Sequence, residues 1–163
     1  MITFKHILIL NLCLASLSLS PLLMAKDNVV FQLVNQQEYL QHLDDIEQKN
    51  STMTKSLFFE QPDQNAPLIE MLVPKKINAI KSPTNMKLAF EALDNADINI
   101  ASFEVKYGWL DITDRIKKHA VINNNSVSAS NVELPTGSHT ITVQIKDSKG
   151  RATEKDFTFT VEQ

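Results

Sequence analysis

LPTGSHTITVQIKDSKGRATEKDFTFTVEQ, Leu134 to Gln163, is the stretch whose pattern decides the fold. Two runs in it alternate apolar and polar residues with a period of two. Ile141, Val143 and Ile145 share one face of the first run, and Phe157, Phe159 and Val161 share one face of the second. Asp147-Ser148-Lys149-Gly150-Arg151 lies between them as a polar connector. A period of two places alternate side chains on opposite faces of a strand, so the pattern predicts an antiparallel pair with one buried face.

The same signal recurs upstream. Leu68 to Val73 reads as a strand closed by Pro74, with a short piece around Ile77 to Ile80 ending at Ser82-Pro83. Met86 to Ala92 follows, then an Asp94-Asn95-Ala96-Asp97 turn, then Ile98 to Trp109 with Phe103, Val105 and Tyr107 in one phase. Asp111 to Lys118 reads as one or two helical turns capped by Asp111. Ala120 to Ile122 and Ser126 to Val132 are weaker strands around Asn123-Asn124-Asn125. Strands at intervals of about ten residues, separated by turn formers, predict an all-β sandwich from residue 67 to 163.

The residues before it have other patterns. Met1 to Ala25 has Lys5 and His6, an apolar run from Ile7 to Leu19, then Pro21 and Ala25. That is the order of a secretory signal cut after Ala25. Asn11, the serines and Pro21 interrupt the apolar run, which argues against an uncleaved anchor. Cys13 lies inside the run and follows Leu12, which argues against lipidation there. Without this segment no cysteine remains, so disulfides, thiol chemistry and Cys-ligated metals are excluded from the remainder. That remainder carries 15 basic and 19 acidic residues, a formal charge of −4. Such a balance argues against nucleic acid as a partner.

Residues 26 to 66 read as an arm and linker. Asn35-Gln36-Gln37-Glu38 has the form of a capping box, and Tyr39, Leu40, Leu43 and Ile46 follow at helical spacing. A short amphipathic helix is expected from about Gln36 to Lys49, docked through that stripe or partnered elsewhere, after an extended Val29 to Val34. Asn50 to Ala66 is a linker by composition, around the apolar island Leu57-Phe58-Phe59.

Pro67 to Val161 resembles bacterial immunoglobulin-like domains of exported proteins. The resemblance rests on Pro-Leu-Ile-Glu-Met-Leu-Val-Pro with Ser82-Pro83 beyond it, on Asp-Ile-Thr-Asp-Arg-Ile at Asp111 to Ile116, on Leu-Pro-Thr-Gly-Ser-His at Leu134 to His139, and on the final hairpin. It implies an Ig-like antiparallel β-sandwich and an adhesive, spacer or ligand-binding role. The cysteine pair of antibody domains is missing.

Chemistry-bearing patterns are sparse. His42, His119 and His139 lie in different elements without ligand spacing, and His139 is expected in the connector before its strand. Leu134-Pro135-Thr136-Gly137 is a turn and not a sorting signal, because a strand follows it. Asp94-Asn95-Ala96-Asp97 does not fit a calcium loop. No nucleophile elbow, zinc-protease motif or phosphate loop occurs. The candidate ligand-binding set is therefore Tyr107, Trp109, Asp111, Asp114 and Arg115. Tyr107 continues the core phase, Trp109 shares it, and Arg115 is placed to pair with an acid. A non-enzymatic interaction module of the bacterial envelope follows, without metal or cofactor and without a membrane span beyond the signal. It would be periplasmic or at the cell surface, with another envelope or extracellular protein as partner. The alternatives are a glycan-binding module using Trp109, and a small hydrolase needing a cleft shared by at least two of Asp111, Asp114, His119 and His139.

Overall fold

A computed structural model describes residues 30–52 and 63–162. The signal at Met1 to Ala25 and the island Leu57-Phe58-Phe59 lie outside the described residues. The elements run β1 (Phe31–Gln32), α1 (Gln36–Thr52), β2 (Leu68–Val73), β3 (Ile80–Lys81), β4 (Thr84–Glu91), β5 (Ile98–Tyr107), β6 (Leu110–Asp111), α2 (Thr113–His119), β7 (Ala120–Asn123), β8 (Ser126–Glu133), β9 (Gly137–Asp147) and β10 (Ala152–Glu162). They form an all-β sandwich of two sheets. One sheet joins β2, β4 and β8, and both β7 and β1 pair with β8; the other runs β3-β10-β9-β5-β6. Consecutive strands β2 and β3 fall in different sheets, so the chain crosses between layers as it enters the sandwich.

The closing pair forms as its alternation predicts. β9 and β10 are antiparallel, with Ile141 opposite Phe157 and His139 opposite Phe159. Ile141, Val143, Ile145, Phe159 and Val161 are buried, facing Ile69, Leu88, Phe90, Val127 and Val132 of the other sheet. A cavity of about 40 Å³ remains between the layers, lined by residues including Met71, Met86, Phe103, Ala129 and Ile141.

On β10 the inward phase turns polar at Thr153 and Lys155. Thr153 Oγ1 donates to the Pro67 carbonyl, and Lys155 Nζ donates to the Ile69 carbonyl at 2.9 Å. These side chains satisfy backbone acceptors on the edge of β2, where an unpaired strand edge would otherwise invite another chain.

The turn of the hairpin is ionic. Asp147 is buried, and its Oδ1 accepts from the backbone of Lys149 and of Arg151, each at 2.9 Å. Arg151 Nε donates to Asp147 Oδ2 at 2.7 Å, and Arg151 Nη2 reaches the Leu93 carbonyl at 3.1 Å. Burial raises the Asp147 carboxyl, but these bonds prevail and hold it below its ordinary value. Lys149 pairs with Asp94 at 2.8 Å, so the β9–β10 turn clasps the Asp94-Asn95 turn before β5.

Residues 30–48 lie against the sandwich. β1 pairs in parallel with β8, Phe31 opposite Val132. The capping box forms: Asn35 Oδ1 accepts from Glu38 N at 2.8 Å, and Glu38 Oε2 accepts from Asn35 N at 2.9 Å. The helix runs to Thr52, beyond the expected Lys49. Its orientation differs from the expected one. His42 is buried and Tyr39 is half-buried, whereas Leu40, Leu43 and Ile46 of the expected docking stripe are exposed. Rings rather than aliphatic side chains seat this helix.

The short helix α2 also differs in detail. Its N-cap position is Ile112, without a side-chain cap, and Asp111 Oδ1 instead accepts from Thr113 N at 2.8 Å. No helix among the described residues is long and apolar enough to cross a membrane.

Candidate functional site

β5 turns into β6 through Gly108-Trp109, with Tyr107 paired to Leu110. Gly108 has φ +58°, which a two-residue hairpin loop with glycine in first place requires. The chain reverses at this glycine, so the strand phase stops at Tyr107. Tyr107 is buried as its phase predicts, but Trp109 stands 58% exposed. Trp109 borders a shallow depression whose other wall is Gln41, Asp44, Asp45 and Gln48 of α1. An indole, two amides and two carboxylates thus meet where the arm lies beside the β5–β6 turn.

Two ring-on-glycine contacts fix the helix there. A Cβ on Gly108 would overlap the His42 imidazole, and one on Gly137 would overlap Tyr39 Oη. The rings form one group: His42 lies 4.4 Å from Tyr107, and Tyr39 lies 4.8 Å from His139, centroid to centroid. His139 is not in the connector, as expected, but in β9, and it is 1% exposed. Its Nε2 donates to the Pro135 carbonyl at 2.8 Å, since a carbonyl can only accept. Nδ1 of the neutral ring therefore accepts from Tyr107 Oη, at 2.9 Å. The imidazole thus ties β9 back to the connector that precedes it and to Tyr107 of β5. Burial pushes the imidazole below its ordinary value, partly opposed by the Pro135 bond. Burial pushes the Tyr107 hydroxyl up, so it stays a donor.

Arg115 completes the attachment. Nη1 donates to Glu38 Oε2 at 2.9 Å and to the Leu33 carbonyl at 2.6 Å, and Nη2 donates to Glu38 Oε1 at 2.8 Å. The two-pronged bond holds the Glu38 carboxyl below its ordinary value against a smaller opposing effect of burial. Arg115 is thus a clamp between α2 and α1. Asp111 serves its local turn, and the Thr113 bonds lower its carboxyl. Asp114 is exposed on α2.

The structure does not gather the hydrolase candidates. His119 is stacked on Phe31 with centroids 4.7 Å apart, and His139 is enclosed by Tyr39, Tyr107 and Phe159. Neither the core cavity nor the depression beside Trp109 is lined by Asp111, Asp114, His119 or His139. Among the described residues, no group of three or more His, Cys, Asp or Glu is arranged to hold a metal ion.

Sequence reasoning missed Tyr39, His42 and His139 as one unit. The Leu-Pro-x-Gly-x-His spacing was the available signal, because it sets a ring two residues beyond a glycine at a strand start.

No family model matches the chain, and no curated protein matches it. Among solved structures, CopC from Methylosinus trichosporium OB3b is similar in part. It is 19% identical, with a TM-score of 0.39, over 55% of this chain and 86% of that one. A likeness so distant leaves function to be argued from this chain's own surface.

Proposed function

We propose that the chain is a non-enzymatic interaction module of the bacterial envelope, exported by its N-terminal signal, and that it holds a partner protein at the Trp109 turn and the adjoining face of α1. The exposure of Trp109 carries this reading. A large aromatic held on a tight turn offers contact area with little ordering cost, and tryptophan dominates many protein interfaces. The polar residues beside it supply a rim.

The test is a photo-crosslinking residue placed at Gln41, used in envelope extract with and without Trp109→Ala. A single species captured by the parent and lost in W109A supports the reading; capture that ignores W109A overturns it. Trp109 side-chain removal should leave stability within about 0.5 kcal/mol, as for most surface substitutions.

A glycan is the second reading, favoured by the amides and carboxylates beside the indole, the groups that bind hydroxyls beneath a stacked ring. Saturable changes in Trp109 fluorescence with a neutral oligosaccharide panel would support it, and an unchanged spectrum across the panel would exclude it.

A further inference from the structure

We infer that the partner held at the Trp109 turn presents a basic amphipathic segment, a conclusion that rests on the binding reading above and gives that partner a chemistry.

The surface is wider than the indole and its rim. Leu40 and Leu43 of α1 are 52% and 39% exposed. Residues three and four apart are neighbours on a helix surface. Asp44 therefore has Gln41 and Gln48 on one flank, and Leu40 and Glu47 on the other, with Leu43 next to that second pair. Gln41, Asp44, Asp45 and Gln48 line the depression with Trp109. The outward side of α1 thus leads from an exposed indole, over amides and carboxylates, to two exposed leucines.

The charge on this side is of one sign. Asp44 and Glu47 are exposed and Asp45 is partly so, and the described ion pairs include none of the three. Glu38, the remaining acid of α1, is engaged by Arg115. Against these acids the helix has one lysine, Lys49. On the sandwich, Lys106 and Lys117 act on Asp111.

Each class of occupant meets this pattern differently. Anionic lipid headgroups and nucleic-acid phosphates are repelled by the carboxylates. A wholly apolar helix would cover Trp109, Leu40 and Leu43 only by taking Asp44 out of water without a partner. A free organic cation would use the indole and Asp44 but leave both leucines in water. A second copy meeting this side face to face would set like charges together. A segment with apolar residues and lysine or arginine at helical spacing matches every group. Its aliphatic side chains cover Leu40 and Leu43, and its cation lies over the indole beside Asp44 and Asp45. A cation so placed at an exposed site strengthens binding by about two- to fivefold.

Calorimetric titration of the purified chain with three synthetic, tryptophan-free peptides tests this: a helical leucine–lysine peptide with one apolar face, its leucine–glutamate counterpart and its serine–lysine counterpart. The leucine–lysine peptide should bind saturably and shift the fluorescence of Trp109, the chain's single tryptophan. The other two should bind at least about tenfold more weakly. Raising salt from about 50 to about 500 mM should weaken the leucine–lysine complex. Asp44→Asn should cost up to about fivefold, the worth of one exposed ion pair, and Leu40→Ser and Trp109→Ala should cost more. All three substitutions lie on the surface and should leave the melting temperature nearly unchanged.

Absence of saturable leucine–lysine binding overturns the inference, and so does binding that ignores D44N, L40S and W109A. Self-association of the chain alone, abolished by W109A, overturns it in favour of a second copy. Equal binding of the leucine–glutamate and leucine–lysine peptides, both lost in W109A, overturns the basic partner and leaves the binding reading standing. That reading fails separately, when capture from Gln41 ignores W109A.

Discussion

Replacing Gly137 by alanine tests how α1 is held. Gly137 has φ +134°, and an added Cβ would overlap Tyr39 Oη. Two costs follow. A side chain in that backbone region costs about 1–3 kcal/mol. Overlap with a packed ring, relieved only by moving it, costs about 1–3 kcal/mol more. Gly137→Ala should therefore lose about 2–6 kcal/mol, against about 5–15 for an ordinary domain. Tyr39→Ala removes the ring and its packing on His139, and it also removes the overlap. In the double variant only the backbone cost of Gly137→Ala should remain, so the combined loss should fall short of the sum of the singles by about 1–3 kcal/mol. Urea denaturation of the four proteins at pH 7, followed by circular dichroism, measures each term. If the losses add to within about 0.5 kcal/mol, Tyr39 does not sit on Gly137 and the account of the docked helix fails.

Three further outcomes follow from separate contacts. Arg115→Ala should cost about 1–3 kcal/mol, because it strips a half-buried carboxylate and the Leu33 carbonyl of donors. The lowered Glu38 carboxyl contributes stability that is present above its ordinary 4.5 and lost as pH falls through its folded value; R115A should flatten that acid limb in denaturation midpoints from pH 3 to 7. Ala129→Val adds methyl groups beside the core cavity of about 40 Å³. At about 24 cal/mol per Å³ this is worth up to about 1 kcal/mol, and a lowered melting temperature would show the space is not there to fill. Asp147→Asn should remove the pH dependence of the β9–β10 turn in the range below 3.8, where the parent loses the turn as its lowered carboxyl takes up a proton; proton chemical shifts of Lys149 and Arg151 amides report it.

The sheets were readable because their inner faces obey one simple rule. Alternation marked β4, β5, β8, β9 and β10, and the antiparallel closing pair followed from Ile141, Val143, Ile145, Phe159 and Val161. Where the rule was carried through a turn it misled: Trp109 kept the phase of Tyr107 in sequence, but the positive φ of Gly108 reversed the chain between them. The helix failed for another reason. Counting apolar residues favours Leu40, Leu43 and Ile46 as the buried stripe, whereas the sandwich presents two glycine notches that accept flat rings. Tyr39 and His42 fit those notches, and hydrophobicity alone does not rank them first. β1 was legible only as an extended Val29 to Val34. Two residues paired in parallel across about a hundred residues of chain leave no periodic trace. Arg115 was expected to meet an acid, but its partner lies in the arm, 77 residues away.

β9 carries a different kind of fastening at each end. At Gly137 the joint is made of packed rings, with Tyr39 seated on the glycine and tilted against His139. At Asp147 the neighbouring Lys149–Asp94 pair is half in water, and dissolved ions screen such a pair while leaving packed rings nearly untouched. Salt therefore addresses one end of the strand far more than the other. A change in ionic strength would loosen the Asp147 end and leave the Gly137 end in place, and each could be tuned by substitution without retuning the other.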